Sequence, residues 1–401
     1  MKKLILIWLL LLTCFSVSVA QDSGIRFEQT KKWKQIVSKA KKEKKLIFVD
    51  CYTDWCGPCK IMAHSVFTQD SVGGFFNQYF VNAKFEMERD EDGKMLRSKY
   101  RVEAYPTLLF IDPVTQEEVM RVVGMRTADA LLLYAAIAMD PEHEKNTAGL
   151  KKRYLAGDRD VDFLKHYYRV LEESILPEKE KIAKEFLDSA DIERLVAKEN
   201  WDMFVQYIND PLAKPFRVIM ANRERFYGEL GQRAVDYKLE YTIEDAADEL
   251  INWTPEKGDF NVMRNEKFIQ FLKSVDSPVV PGVLASLYAS GCVREGDYQG
   301  LVNNIRNALE YNLFRGNKEK KFLERNVKVL ENCTDRSLIR DVVRLLDEKC
   351  GQAMTCYGKA DLMKLKAVLQ LQMGDEAGAQ QSKEQEAKFR AEGDERGEWM
   401  D

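Results

Sequence analysis

Two cysteines separated by two residues, in Trp55-Cys56-Gly57-Pro58-Cys59-Lys60, stand just behind the strand-like run Leu46-Ile47-Phe48-Val49-Asp50. Where a strand hands over to a helix, the first sulfur of such a pair lies near unsatisfied backbone N–H groups and the positive end of the helix dipole, which favours thiolate over thiol. Cys56 is therefore the expected nucleophile. Cys59, one helical turn deeper and expected to be less exposed, is placed to attack a mixed disulfide on Cys56 and release the product. The chemistry open to the pair is thiol–disulfide exchange.

Other uses of two cysteines fit less well. Structural zinc needs four ligands, and no second Cys-x-x-Cys or paired histidines accompany this one, so no metal is expected. His64, on the helix after the dithiol, offers acid–base chemistry but reads as a surface or groove-edge residue. His143 and His166 lie far along the chain. A structural disulfide without turnover stays open on spacing alone.

The elements that must hold the pair are legible as periodicities. Trp33, Ile36, Val37 and Ala40 mark an amphipathic helix over Thr30 to Lys45 with a basic, solvated outer face. Leu46 to Asp50 reads as a buried strand, and Ile61, Met62, Val66 and Phe67 continue a helix toward Gly73-Gly74. Val81 to Met87 is a strand, Lys94 to Tyr100 a helix, and Thr107 to Ile111 and Val119 to Val123 are strands joined at Asp112-Pro113. Ala128 to Met139 is a helix ending at Asp140-Pro141. That order predicts one sheet with helices on both faces.

Lys2 and Lys3, the apolar run Leu4 to Phe15 and small residues up to Ala20 read as a secretory leader, residues 1–20, with the mature chain starting at Gln21. A lipid on Cys14 is the rival reading, disfavoured by Thr13 before it. Export would leave Cys51, Cys56, Cys59, Cys292, Cys333, Cys350 and Cys356; the last four are then candidates for two structural disulfides, in any of three pairings. Cys51 reads as a small buried hydrophobe. The net charge of −4, with both signs interspersed, shows no nucleic-acid footprint. At 401 residues the chain exceeds what one core usually holds.

Roughly Phe27 to Met139 resembles the thioredoxin family. Besides the dithiol, Asp50 stands where thioredoxins bury an acid beneath the resolving cysteine, and Lys84 where they place its lysine partner. Tyr105-Pro106-Thr107 matches their cis-proline loop and Gly124 a glycine lining the substrate groove. The resemblance implies Asp50 and Lys84 as catalytic companions of Cys56 and Cys59, and Trp55, Gly57, Pro58, Tyr105, Pro106 and Gly124 as substrate-binding residues. A buried Asp50 should have a raised pKa and accept the Cys59 proton, with Lys84 limiting the rise. Tyr105 departs from the smaller aliphatic residue common before this proline. No dissociable cofactor is implied.

Beyond Pro141 helical spacing takes over, as in Phe163, Tyr167, Val170, Leu171 and in Leu338, Val342, Leu345, Leu346. Breaks at Gly157-Asp158, Gly258-Asp259, Gly296-Asp297 and Gly374-Asp375 suit helical hairpins, with a tetratricopeptide-like array as one form. The tail from Gln380 is expected to fray. The expected architecture is an α/β thioredoxin-like domain over 21–140 followed by an all-α domain over 141–401. The Gly-Pro dipeptide is that of thioredoxin, at about −270 mV against about −120 mV for the strongest oxidants, which favours a reductase. The expectation is an exported, periplasmic thiol–disulfide oxidoreductase acting on disulfide-containing proteins and fed by a membrane thiol electron carrier. The alternatives are an oxidase or isomerase, or a helical-repeat binding protein with a redox-tuned domain.

Overall fold

The computed structural model describes residues 24–398; the expected leader and the readings of Cys14 lie outside them. Among the described residues no helix is long and apolar enough to cross a membrane. The chain divides into two compact units, one ending at Ser189 and the other beginning at Ala190.

In the first unit, β1 (Leu46–Tyr52), β2 (Phe80–Glu86), β3 (Thr107–Ile111) and β4 (Glu118–Val123) form a sheet in the order β2-β1-β3-β4. β1 runs parallel to β2 and antiparallel to β3, and β3 and β4 make a hairpin. Successive side chains of a strand point to opposite faces. Ile47, Val49 and Cys51 therefore meet Trp33, Ile36 and Ala40 of α1 (Trp33–Glu43) and Leu96 of α4 (Glu91–Lys99). Phe48 meets Met62 of α2 (Gly57–Ser65), Phe76 of α3 (Asp70–Tyr79) and Leu131 of α5 (Ala128–Met139). Because helices cover both faces, β1 has no polar alternation, and its one acid, Asp50, is conspicuous.

The helix expected to run from the dithiol toward Gly73-Gly74 is in fact two, broken between Ser65 and Asp70, with both glycines inside the second. Close approach of backbones explains Gly73: a Cβ there would sit 2.2 Å from the carbonyl oxygen of Gly24. Gly24 is itself fixed, since its carbonyl accepts from Asn77 Nδ2 at 3.0 Å and the next N–H, Ile25, donates to Phe67 O at 2.7 Å. Gly74 has open space around its Cβ position. Gly73→Ala is expected to destabilise the first unit by about 2 kcal/mol through overpacking, while Gly74→Ala should be neutral or gain up to about 1 kcal/mol from helix propensity. Urea melts of the two variants, compared side by side, check this; equal midpoints would remove the packing explanation.

After α5 the unit continues through α6 (Thr147–Leu155), α7 (Val161–Glu173) and α8 (Lys179–Ser189), so compact structure runs past the boundary expected at residue 140. Asn146, fully buried, stitches the junction. Its Nδ2 donates to Ile137 O at 2.9 Å while its Oδ1 caps α6 by accepting from Gly149 N at 3.0 Å. Thr147 Oγ1 donates to Val119 O at 2.7 Å, tying α6 to the edge of β4.

The second unit is helical throughout its regular structure. Two of the Gly-Asp breaks both stop one helix and start the next. Gly296 and Gly374 close Val280–Glu295 and Cys356–Met373 with φ of 72° and 80°, and Asp297 and Asp375 cap the following helices by accepting from Gly300 N at 2.8 Å and Gly378 N at 2.9 Å.

Two sequence expectations fail in this unit. Cys292, Cys333, Cys350 and Cys356 are free and buried, not paired. The first three lie in one apolar cluster with Leu301, Leu330 and Leu346, where a thiol packs as a small hydrophobe. The charged tail forms a helix, Glu376–Glu395, and its polar groups have partners on Cys356–Met373. Ser382 Oγ donates to Gln370 Oε1 at 2.7 Å, Arg390 pairs with Asp361 at 3.1 Å, and Glu398 accepts from Cys356 N at 2.7 Å.

Candidate active site

Cys56 is the N-cap of α2, and Pro58 sits in the first turn, where a missing N–H leaves no hydrogen bond unmade. Cys56 and Cys59 are joined in a disulfide. Cys59 N–H donates to Cys56 Sγ at 3.1 Å, and Cys56 N–H donates to Thr53 O at 3.1 Å. A sulfur that accepts a helix's free N–H is the one whose negative charge that helix stabilises. Exposure does not separate the two as expected, since Cys56 is 3% and Cys59 5% exposed. The asymmetry lies in the cap position.

Asp50 shares the sheet face of Phe48, the face covered by α2, and is buried. Its Oδ1 has no hydrogen-bond partner among the described residues. Burial pushes its carboxyl up from 3.8 to about 7, against the pull of the Lys84 and Lys31 charges. Lys84 is directly opposite Asp50 on β2, yet its side chain is exposed, with Nζ 5.3 Å from the Phe27 ring centroid and no ion pair to Asp50. It acts on the acid through the field, not by contact.

The Tyr105–Pro106 peptide is cis. Thr107 Oγ1 donates to Ala104 O at 2.7 Å and Gly124 N–H to Pro106 O at 2.8 Å, which fix the loop on both sides. The Tyr105 ring meets Trp55 edge-on at 5.8 Å, so this loop lies beside the dithiol loop. Trp55 is 68% exposed and Gly57 and Pro58 are also open to solvent; Gly124, with φ of 87°, is half-buried. His64 is an exposed residue in the last turn of α2.

Two supporting groups escaped the sequence reading. The first is Glu86, 4% exposed at the end of β2. Its carboxylate accepts the N–H groups of Asp54 at 3.3 Å, Glu88 at 2.8 Å and Arg89, gathering the loop before the dithiol and the loop after β2 around one charge. Arg89 then pairs with Asp54, and Glu88 accepts from Trp55 Nε1 at 3.0 Å. The second is Arg121 on β4, whose side chain is 3% exposed. It pairs with Glu118 at 2.6 Å and donates to Tyr100 O and to Arg101 O at 3.2 Å, the carbonyls that end α4 and lead into the cis-proline loop. A charged residue inside an apolar strand was the available signal for both. Among the described residues no group of three or more His, Cys, Asp or Glu side chains is arranged to hold a metal.

The family model for Thioredoxin matches residues 25–136. The chain is 37% identical over 84 residues to Thioredoxin-1 of Saccharomyces cerevisiae, covering 21% of this chain and 73% of that protein. It is 36% identical over 69 residues to Thioredoxin-T of Drosophila melanogaster, where it spans 17% of this chain and 40% of the relative's length. A solution structure of a candidate disulphide-isomerase from Bacteroides thetaiotaomicron is 44% identical, covering 31% of this chain and 99% of its own, with a TM-score of 0.28.

Proposed function

This chain belongs to the thioredoxin family, its residues 25–136 forming a thiol–disulfide oxidoreductase domain, and from that premise we propose that the whole protein is an exported disulfide reductase. The observation that carries the direction of attack is the Cys59 N–H directed at Cys56 Sγ. In the reduced enzyme the Cys56 thiolate attacks one sulfur of a substrate disulfide; a Cys56–substrate bond forms and the other substrate sulfur leaves as a thiolate. Asp50 takes the Cys59 proton. The Cys59 thiolate then attacks Cys56, the second substrate sulfur leaves, and the Cys56–Cys59 disulfide remains. Two electrons and two protons from a dithiol donor restore the start; in an oxidising compartment a membrane thiol carrier is the fitting source.

Burial supports Asp50 as the proton acceptor, because a carboxyl held near about 7 exchanges protons at neutral pH. Trp55, Tyr105, Pro106 and Gly124 would then border the substrate, with Gly57 and Pro58 leaving the approach to Cys56 open. The leader-like sequence of residues 1–20 supports export and the Gly-Pro dipeptide supports a reducing potential. The test is the state of Cys56 and Cys59 in the periplasm, read by acid quenching and alkylation, on a mature chain beginning at Gln21. A reductase is held mostly reduced; a mostly oxidised pair would make the protein an oxidase, and an intact leader in the cytoplasm would end the export reading.

A further inference from the structure

Pairing of β1 with β2 ends where Tyr52 stands opposite Glu86, with one last backbone bond from Met87 N–H to Tyr52 O at 2.9 Å. Beyond it the two chains part, one toward the dithiol and the other into the turn before α4. The Glu86 side chain carries the connection further. It is 4% exposed, has no ion pair among the described residues, and accepts Asp54 N–H from one chain and the Glu88 and Arg89 N–H groups from the other. A buried charge must be met by hydrogen bonds, and those made to a charge are the strong ones. The two oxygens of a carboxylate have room for all three.

What these bonds hold leads to one ring. Asp54 is followed by Trp55, and the Glu88 side chain accepts from Trp55 Nε1 at 3.0 Å while it pairs with Arg97 at 3.8 Å. The same indole meets the Tyr105 ring edge-on at 5.8 Å. Trp55 is therefore 68% exposed and yet held by two partners, next in sequence to Cys56. A large side chain that is exposed but already ordered loses little freedom when a partner settles on it, and tryptophan is among the residues that contribute most at protein contacts. A small disulfide that reaches Cys56 without covering the ring gains nothing from it.

We propose that Glu86 is a positioning residue for polypeptide substrates: through Asp54 and Glu88 it keeps Trp55 ordered beside Cys56, and so favours disulfides carried in protein chains over small ones. This rests on the reductase function proposed above and names the class of substrate that site prefers. Glu86 acts through Trp55 and not on the sulfurs. Its loss is therefore felt in how a protein docks, ahead of how fast a docked disulfide reacts.

The test is reduction by the full-length chain, with dithiothreitol as electron donor, of insulin and of bis(2-hydroxyethyl) disulfide, read as the ratio of the two kcat/KM values. Glu86→Gln keeps the size of the side chain and gives up its charge; the insulin-to-small-disulfide ratio is expected to fall about fivefold, carried by the KM for insulin. Glu88→Ala leaves the backbone bonds to Glu86 in place and removes the bond to Trp55 Nε1, and it should lower the ratio as much. In a Trp55→Ala background, Glu86→Gln should change the ratio no further, a coupling that a general loss of stability would not produce. An unchanged ratio in Glu88→Ala would overturn the proposal even if Glu86→Gln failed to fold. Equal losses on both substrates in Glu86→Gln, or a further fall in the Trp55→Ala background, would overturn it as well. Failure of the native chain to reduce either substrate would strike at the reductase reading itself.

Discussion

Cys56→Ser is expected to abolish substrate reduction, by at least about a thousandfold, whereas Cys59→Ser should still attack and accumulate the mixed disulfide it cannot resolve. The reason is the geometry at the start of α2: Cys56 Sγ is the cap atom that accepts a backbone N–H, and Cys59 supplies that N–H from within the first turn. Both sulfurs are almost equally covered, so the expected division of labour would rest on the field at the helix end and not on access. The measurement is the rate of alkylation of each thiol in the reduced protein near neutral pH, by mass spectrometry of the labelled peptides. Faster labelling of Cys59 would reverse the assignment.

Asp50→Asn is expected to stabilise the fold and to slow the second half of the reaction. In the native chain the carboxyl keeps its proton up to about 7, while in the unfolded chain it loses it around the ordinary value of 3.8. Between those values the native state binds more protons than the unfolded state, so stability falls as pH rises across that window and is flat on either side. At about 1.4 kcal/mol per pKa unit, the whole penalty is on the order of 4 kcal/mol, and the neutral amide removes it. The gain of Asp50→Asn over the native chain should be small at pH 4, grow through pH 6 and level off above pH 8. A gain that did not vary with pH would mean that Asp50 is not the titrating group. Resolution of the mixed disulfide should lose its rise through pH 7 and slow by about a hundredfold; a variant rate equal to that of the native chain across pH 6 to 8 would remove Asp50 from the mechanism.

What the sequence disclosed about the site was local or periodic. The dithiol, the strand before it and the acid at its end are contiguous, and the unbroken burial of β1 follows from its composition. That there is one sheet with helices on both faces followed from element order, while the strand order β2-β1-β3-β4 did not. What stayed hidden depends on contacts between distant segments. Glu86 becomes important because three backbone N–H groups from two loops converge on it, and Arg121 because α4 ends against it. Gly73-Gly74 looked like a stop until Gly24, almost fifty residues earlier, was seen against it. Asp140-Pro141 looked like a boundary because a buried asparagine six residues after Asp140 carries no periodic signal. The charged tail read as loose because the partners of its charges lie on another helix.

Five unpaired cysteines among the described residues are distributed so that Cys51 lies in the first unit and Cys292, Cys333, Cys350 and Cys356 in the second, all buried. A sealed thiol reacts only when the segment around it opens. Each unit thus carries its own record of opening, legible in the labelled peptide it yields. The same arrangement ranks events during maturation. Among the described residues, folding before an oxidant arrives packs these five sulfurs apart from one another and sets Cys56 and Cys59 at bridging distance, whereas an oxidant that arrives first meets seven sulfurs able to form wrong bridges. In an oxidising compartment, speed of folding would itself be a safeguard of the redox chemistry.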